Sequence, residues 1–292
     1  MTAPTLPDGA LAPAPRSRAL RFVALGDSVT EGVGAPVDGG WRGWPALLAP
    51  SLVPAGDRVE HHNLAFSGAR ATDLTDRQLP AALDLRPQVA AVVVGGNDTL
   101  RAGFEITRTV AALHATLGEL GAAGTLVLTA CLPDPGALLG LPGALRRPLA
   151  RRMAAVNTAV HELSARHRAV HLHLAELPWL TDRALLSADR LHPSPQGHLL
   201  IARQFHALLA ARGLPVGAPP AEVQAPPAPS RAADLWWLLT KGTAWLARRS
   251  VDLIPGLCAV AAIETFHTLR GHAAALDAKA VAEARAAVAS LP

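Results

Sequence analysis

Tyrosine is absent from this 292-residue chain, methionine and cysteine occur twice each, and charged residues make up only 17%. The missing tyrosine accompanies a bias to Ala, Leu, Pro and Arg, which is the mark of a GC-rich coding sequence rather than of any chemistry. Cys131 and Cys258 lie far apart, each inside an apolar run and neither in a C-x-x-C pair. A disulfide scaffold and a thiolate knuckle are thereby excluded, and two buried free thiols are expected. No Lys/Arg cluster with interleaved aromatics accompanies the formal charge of +4, so nucleic acid is not an expected partner. No apolar stretch reaches the ~18 residues that a spanning helix requires. Residues 1–18 are rich in Pro and Ala but lack the charged start and apolar core of a secretory signal. The expectation is a soluble, cytoplasmic protein with a flexible N-terminal arm over 1–18.

Half of the residues are apolar, enough for one substantial packed domain and a smaller appendage. Leu20–Leu25 reads as an apolar strand stopped by Gly26-Asp27-Ser28, and Trp44–Leu52 as a helix. A second strand spans Val59–Leu64. Gln88–Val94 is a β-branched buried strand ended by Gly95-Gly96-Asn97-Asp98. Helical spacing over Phe104–Leu120, a strand over Thr125–Ala130, a helix over Pro148–His167 and a short strand over Ala169–Leu174 follow. A loop with Asp189 and His192 then opens into a helix over Gln196–Ala211, closed by Gly213. Alternating strands and helices predict an α/β domain over 19–213, with a five-stranded parallel sheet covered on both faces. Residues 214–230 read as a Pro/Ala-rich linker, and 231–292 as a helical C-terminal extension.

Ligands gather at the carboxyl ends of the strands in such sheets. Three polar clusters fall there: Ser28 after the first strand, Gly68 after the second, Asn97 after the third. A serine hydroxyl attacks only when a base takes its proton and a third group fixes the base's tautomer. In Asp189-Arg190-Leu191-His192-Pro193, a carboxylate three residues before an imidazole can accept from Nδ1–H and leave Nε2 facing Ser28. The backbone N–H groups of Ser28 and Gly68 and the side-chain amide of Asn97 are candidate donors to a developing oxyanion. Asp27 and Asp98 read as supports, the first holding the turn and the second orienting the loop of Asn97.

Gly26-Asp27-Ser28, Asn63–Gly68, Gly95–Asp98 and Asp189–Pro193, in that order, resemble the four blocks of the SGNH (GDSL) hydrolase family, over about Phe22 to Arg212. The resemblance implies a flavodoxin-like three-layer sandwich, a Ser28–His192–Asp189 triad, and an oxyanion hole from Ser28, Gly68 and Asn97. It further implies cleavage of carboxylic ester, thioester or O-acetyl bonds in small-molecule esters, without a cofactor. An acyltransferase would use the same triad. A non-catalytic carbohydrate- or lipid-binding module would have no need of a nucleophile paired with a base. No G-x-S-x-G elbow is present, and Gly32-Val33-Gly34 lacks the third glycine of a dinucleotide loop.

Other histidines invite a metal reading, namely His61-His62 and His171-x-His173. The second pair alternates on a strand, but no third ligand is assignable, and no metal is expected. His198 reads as a packed helix residue. Leu235, Leu238, Leu239, Trp245 and Leu246 form one helical stripe, broadened by Trp236 and Trp237 and flanked by Lys241, Arg248 and Arg249. Residues 231–263 therefore carry two open readings: packing on this domain or on a second copy, or peripheral contact with a membrane surface.

Overall fold

A computed structural model describes residues 19–101, 103–222 and 254–292. Five strands form one parallel sheet: β1 (Leu20–Gly26), β4 (Val59–Asn63), β5 (Val89–Val93), β6 (Leu126–Ala130) and β7 (Val170–Leu172), in the order β4-β1-β5-β6-β7. Both faces are covered, so the central strands are continuous apolar runs rather than alternating ones. Phe22–Leu25 and all of β5 are buried. Between β1 and β4 a small hairpin pairs β2 (Pro36–Val37) with β3 (Gly40–Trp41).

Helix α1 (Ser28–Glu31) follows β1 directly. On one layer α2 (Trp44–Leu48) packs against α9 (Pro195–Ala211), with the Trp44 and Phe205 rings stacked 4.9 Å apart. On another α6 (Ile106–Ala122) packs against α8 (Gly143–Arg166). Short helices α3 (Ala71–Asp73), α4 (Leu79–Leu85), α5 (Gly96–Thr99) and α7 (Pro135–Leu138) fill the connections, and a π-helical turn at Leu74–Gln78 joins α3 to α4. The sequence starts its helix at Pro148, because proline belongs in a first turn. In the structure α8 begins at Gly143 and Pro148 sits one turn deeper, where its missing N–H interrupts only the start of the ladder.

The Pro/Ala-rich stretch begins as packed chain rather than free linker. The Gly217 N–H donates to the Ser51 carbonyl at 3.0 Å, and Arg203 Nε–H to the Pro220 carbonyl at 3.0 Å. The remainder of that stretch and the Trp-rich stripe lie outside the described residues.

Two helices close the described chain, α10 (Ile254–Leu269) and α11 (Ala273–Ala289). Both pack on α8, and α11 also touches α6. No helix among the described residues is long and apolar enough to cross a membrane. The dock is charged: Arg151 holds Glu264 at 2.9 Å and Asp277 at 2.7 Å, and Arg147 holds Asp277 at 2.9 Å. Glu264 is only 3% exposed and Arg151 13%. Removing one partner of a buried pair leaves the other charged without compensation, at about 3–5 kcal/mol. Glu264→Ala is therefore expected to lower Tm by roughly 6–20 °C, at about 2–4 °C per kcal/mol for a chain of this size. Asp277→Ala, at a half-exposed site, should shift it far less. Equal Tm values for wild type and Glu264→Ala in a thermal melt would mean that the pair carries no net stabilisation.

Candidate active site

The sheet reverses its order beside β1: the chain moves from β1 outward to β4, then crosses back to β5 on the other side. Counting only the five parallel strands, the order is 2-1-3-4-5, and such a reversal opens a crevice at the carboxyl ends of the strands. Ser28, Gly68 and Asn97 all stand at that end, each in the turn that follows β1, β4 or β5.

Tight backbone approach shapes the turn carrying Ser28. Gly26 has φ +150°, and a Cβ there would lie 2.2 Å from the Val93 carbonyl oxygen, so only glycine fits. The side chain of Asp27 caps α1, with Oδ1 accepting from the Val29 N–H at 3.0 Å. Ser28 thus becomes the first helical residue, and its own N–H stays outside the intrahelical ladder. Burial pushes the Asp27 carboxyl up to about 7, only partly offset by the Val29 N–H and by His192.

A second loop brings His192 and Asp189 to Ser28. It is closed by an isolated antiparallel bridge between Leu186 and Pro193, with the Ser187 N–H donating to the His192 carbonyl at 2.9 Å. Arg190 takes a left-handed conformation (φ 57°) at the apex, which turns the chain tightly enough for Asp189 to reach back to His192. His192 Nδ1 lies 2.6 Å from Asp189 Oδ2, and His192 Nε2 lies 2.8 Å from Ser28 Oγ. The other oxygen of Asp189 accepts from the Ser187 hydroxyl (2.6 Å) and from the N–H groups of Leu191 (2.9 Å) and His192 (3.0 Å). Burial opposes ionisation of Asp189, but the hydrogen bonds and charge of His192 outweigh it and hold the carboxyl near about 2. An ionised Asp189 fixes the proton on Nδ1, which leaves the Nε2 lone pair to accept from the Ser28 O–H.

The loops bearing Gly68 and Asn97 are tied together. Gly68 adopts φ +85° in the turn after β4. The Asn97 amide donates one N–H to the Ala69 carbonyl at 3.0 Å and keeps its second. Asp98 accepts from the Ala71 N–H at 3.1 Å and from the Thr109 hydroxyl at 3.4 Å, fastening the Gly68 loop to α5 and α6. Burial raises the Asp98 carboxyl above its usual range.

Three supporting residues carry no signal in the sequence. Gln78, 2% exposed, doubles the Gly26 peptide: its Oε1 accepts from the Gly26 N–H at 2.7 Å and its amide donates to the Gly26 carbonyl at 2.9 Å. It takes the place of a neighbouring strand beyond the end of β4, on a π-helical turn, a distortion frequent at functional sites. Ser187 orients Asp189. His198 is fully buried, lies 3.3 Å from the Trp44 N–H through Nδ1 and 3.0 Å from the Val33 carbonyl through Nε2. Nδ1 must accept and Nε2–H donate, so the ring is neutral; burial lowers it to about 4. It pins the chain after α1 to α9 and is not a second base.

The chain also matches a known family and known folds. The profile of the GDSL-like Lipase/Acylhydrolase family matches residues 24–200. No curated protein sequence matches the chain. Among solved structures the chain is similar to Axe2, an acetylxylan esterase from Geobacillus stearothermophilus, at 20% identity and TM-score 0.53, covering 65% of this chain and 94% of that one. Catalytic mutants of that enzyme replace a serine, an aspartate or a histidine by alanine. It is also similar to LAE5, an alpha/beta hydrolase from the metagenome of Lake Arreo, Spain, at 21% identity and TM-score 0.53, covering 69% of this chain and 99% of that one. With more than half of its length matched by the profile, with the serine, glycine and asparagine blocks in the turns after β1, β4 and β5 and the histidine block in the loop before α9, the chain is a serine ester hydrolase of the GDSL-like lipase/acylhydrolase (SGNH) family.

Proposed function

We propose that the protein hydrolyses carboxylic esters of short acyl chains through an acyl-enzyme on Ser28. The relay of 2.6 and 2.8 Å from Asp189 through His192 to Ser28 carries this reading. Ser28 Oγ attacks the ester carbonyl as its proton passes to His192 Nε2. The imidazolium, balanced by Asp189, returns that proton to the leaving alkoxide. Water, deprotonated by the same imidazole, then attacks the acyl-enzyme and releases the acid and free Ser28. The N–H groups of Ser28 and Gly68 and the free N–H of Asn97 are the assigned oxyanion donors, each worth about 100- to 1000-fold in turnover.

Substrate size is argued from what surrounds Gly68. The cleft there is lined by Phe66, Ser67, Arg70, Asp73 and Arg101, a polar wall that suits a polyhydroxyl or charged alcohol better than a lipid tail. In the apolar loop between Pro133 and Pro148, Leu138 is buried in the core and Leu139 is exposed, and neither lines this cleft. An O-acetyl ester of a sugar, the substrate class of the similar acetylxylan esterase, fits this description. In a p-nitrophenyl series, acetate and butyrate should exceed palmitate by at least about tenfold in kcat/KM, since each methylene that finds no apolar wall forgoes about 0.8 kcal/mol. A palmitate optimum would overturn the short-chain assignment. Adding an alcohol or sugar acceptor to the same assay and analysing products separates hydrolysis from transfer: free acid as the sole product upholds the hydrolase, whereas acylated acceptor in excess of acid establishes an acyltransferase.

A further inference from the structure

The sequence supplies only a pair of alternating histidines, His171 on β7 and His173 just past its end. Folding brings two more ligand-bearing side chains to them: His161 from α8 and Cys131 from the turn after β6, so that one ligand atom from each of Cys131, His161, His171 and His173 lies within 4.8 Å of every other. The His171 ring meets His161 edge-on at 4.6 Å and His173 edge-on at 5.0 Å between centroids. Nε2 of His161 and of His171 are buried and have no hydrogen-bond partner, although buried polar atoms are nearly always paired.

The proton on His171 can be placed by following the hydroxyls behind it. Ser164 donates to the Val160 carbonyl at 2.5 Å, so it accepts from Thr129, 2.7 Å away. Thr129 has then spent its only proton and accepts from His171 Nδ1–H at 3.0 Å. His171 is thereby held as the tautomer with a bare Nε2 lone pair turned into the cluster, backed by a hydrogen bond on its other nitrogen. That is how metal-binding imidazoles are oriented. His173 Nδ1 has a carboxylate neighbour, Glu176, 3.5 Å away at the surface.

We propose that Cys131, His161, His171 and His173 form a tetrahedral site for a borderline-soft divalent transition ion, zinc foremost. One thiolate and three imidazoles suit that class rather than calcium or magnesium. Binding displaces the Cys131 thiol proton, so the site carries one thiolate charge, with Glu176 adding a second nearby. These two negative charges balance the charge of a divalent ion. The ion would add a cross-link among the outermost strand β7, α8 and the turn after β6, which the Thr129, Ser164 and His171 hydrogen bonds and the β6–β7 pairing already join. The triad shares none of these residues.

The test uses the full chain without an affinity tag, stripped with chelator under reducing conditions and titrated with Co2+. One equivalent should produce the intense visible bands of tetrahedral cobalt and a sulfur-to-cobalt band in the near ultraviolet, both displaced by Zn2+. Cys131→Ser should abolish the sulfur band. His173→Gln, at an exposed position that leaves the fold intact, should weaken Co2+ binding at least about tenfold, the lower bound seen even for losses behind the ligands. Weak octahedral absorption in the wild type, or unchanged affinity in His173→Gln, would overturn the site.

Discussion

Replacing Ser28 by alanine is expected to lower kcat on p-nitrophenyl acetate by about 10^5- to 10^6-fold while leaving the melting temperature within about 2 °C of wild type. The two halves of this expectation come from different features of the turn. The Ser28 hydroxyl is bonded to His192 Nε2, the atom that would take its proton, so its removal deletes the attacking oxygen. The turn keeps its own supports: Asp27 still caps α1, Gly26 still fits under Val93, and Gln78 still holds the Gly26 peptide. Alanine is also well suited to a helical position. The variant should retain the oxyanion donors and therefore a residual rate above that of water alone. Near-wild-type turnover would remove Ser28 from the mechanism, and an unfolded variant would show that the turn was misread.

Asp189→Asn should cost about 10^4-fold in kcat at neutral pH with little change in KM, through a tautomer rather than through lost contact. In the wild type, one carboxylate oxygen accepts from Ser187, Leu191 and His192 N–H while the other faces His192 Nδ1. An asparagine must use its single carbonyl oxygen for the three donors, which turns its NH2 toward Nδ1. The imidazole then accepts at Nδ1 and carries its proton on Nε2, pointing a hydrogen at the Ser28 hydroxyl it should deprotonate. Matched kcat and KM measurements on the wild type and this variant test the idea. A loss confined to KM would assign Asp189 to substrate binding, and a loss below tenfold would show that His192 needs no fixed tautomer.

Much of this architecture can be read without coordinates, for identifiable reasons. Parallel strands buried on both faces write themselves as unbroken apolar runs, and each ends in a polar turn, so Ser28, Gly68 and Asn97 stand out by position. Asp189 and His192 are close in sequence because one tight loop presents both. What stayed hidden depends on encounters between distant segments. Gln78 is one amide in an ordinary stretch, and only the early end of β4 reveals that it completes β1. His198 reads as packing until Trp44 and Val33 are seen at its two nitrogens. Cys131 and His161 gain meaning only beside β7. Charges at Arg151 and Glu264, separated by more than a hundred residues, give no local sign that α10 lies against α8.

The two margins of the sheet are also poor templates for a strand from another molecule. On one side β7 offers only three residues, and on the other β4 presents Glu60 and Asn63 to solvent on either side of two half-buried histidines. Short edges and edges bearing charge are the means by which open sheets resist strand addition and fibre growth. A nascent or partly unfolded copy of this protein would find little to pair with at either border, so the five-stranded sheet is bounded as well as built by its sequence.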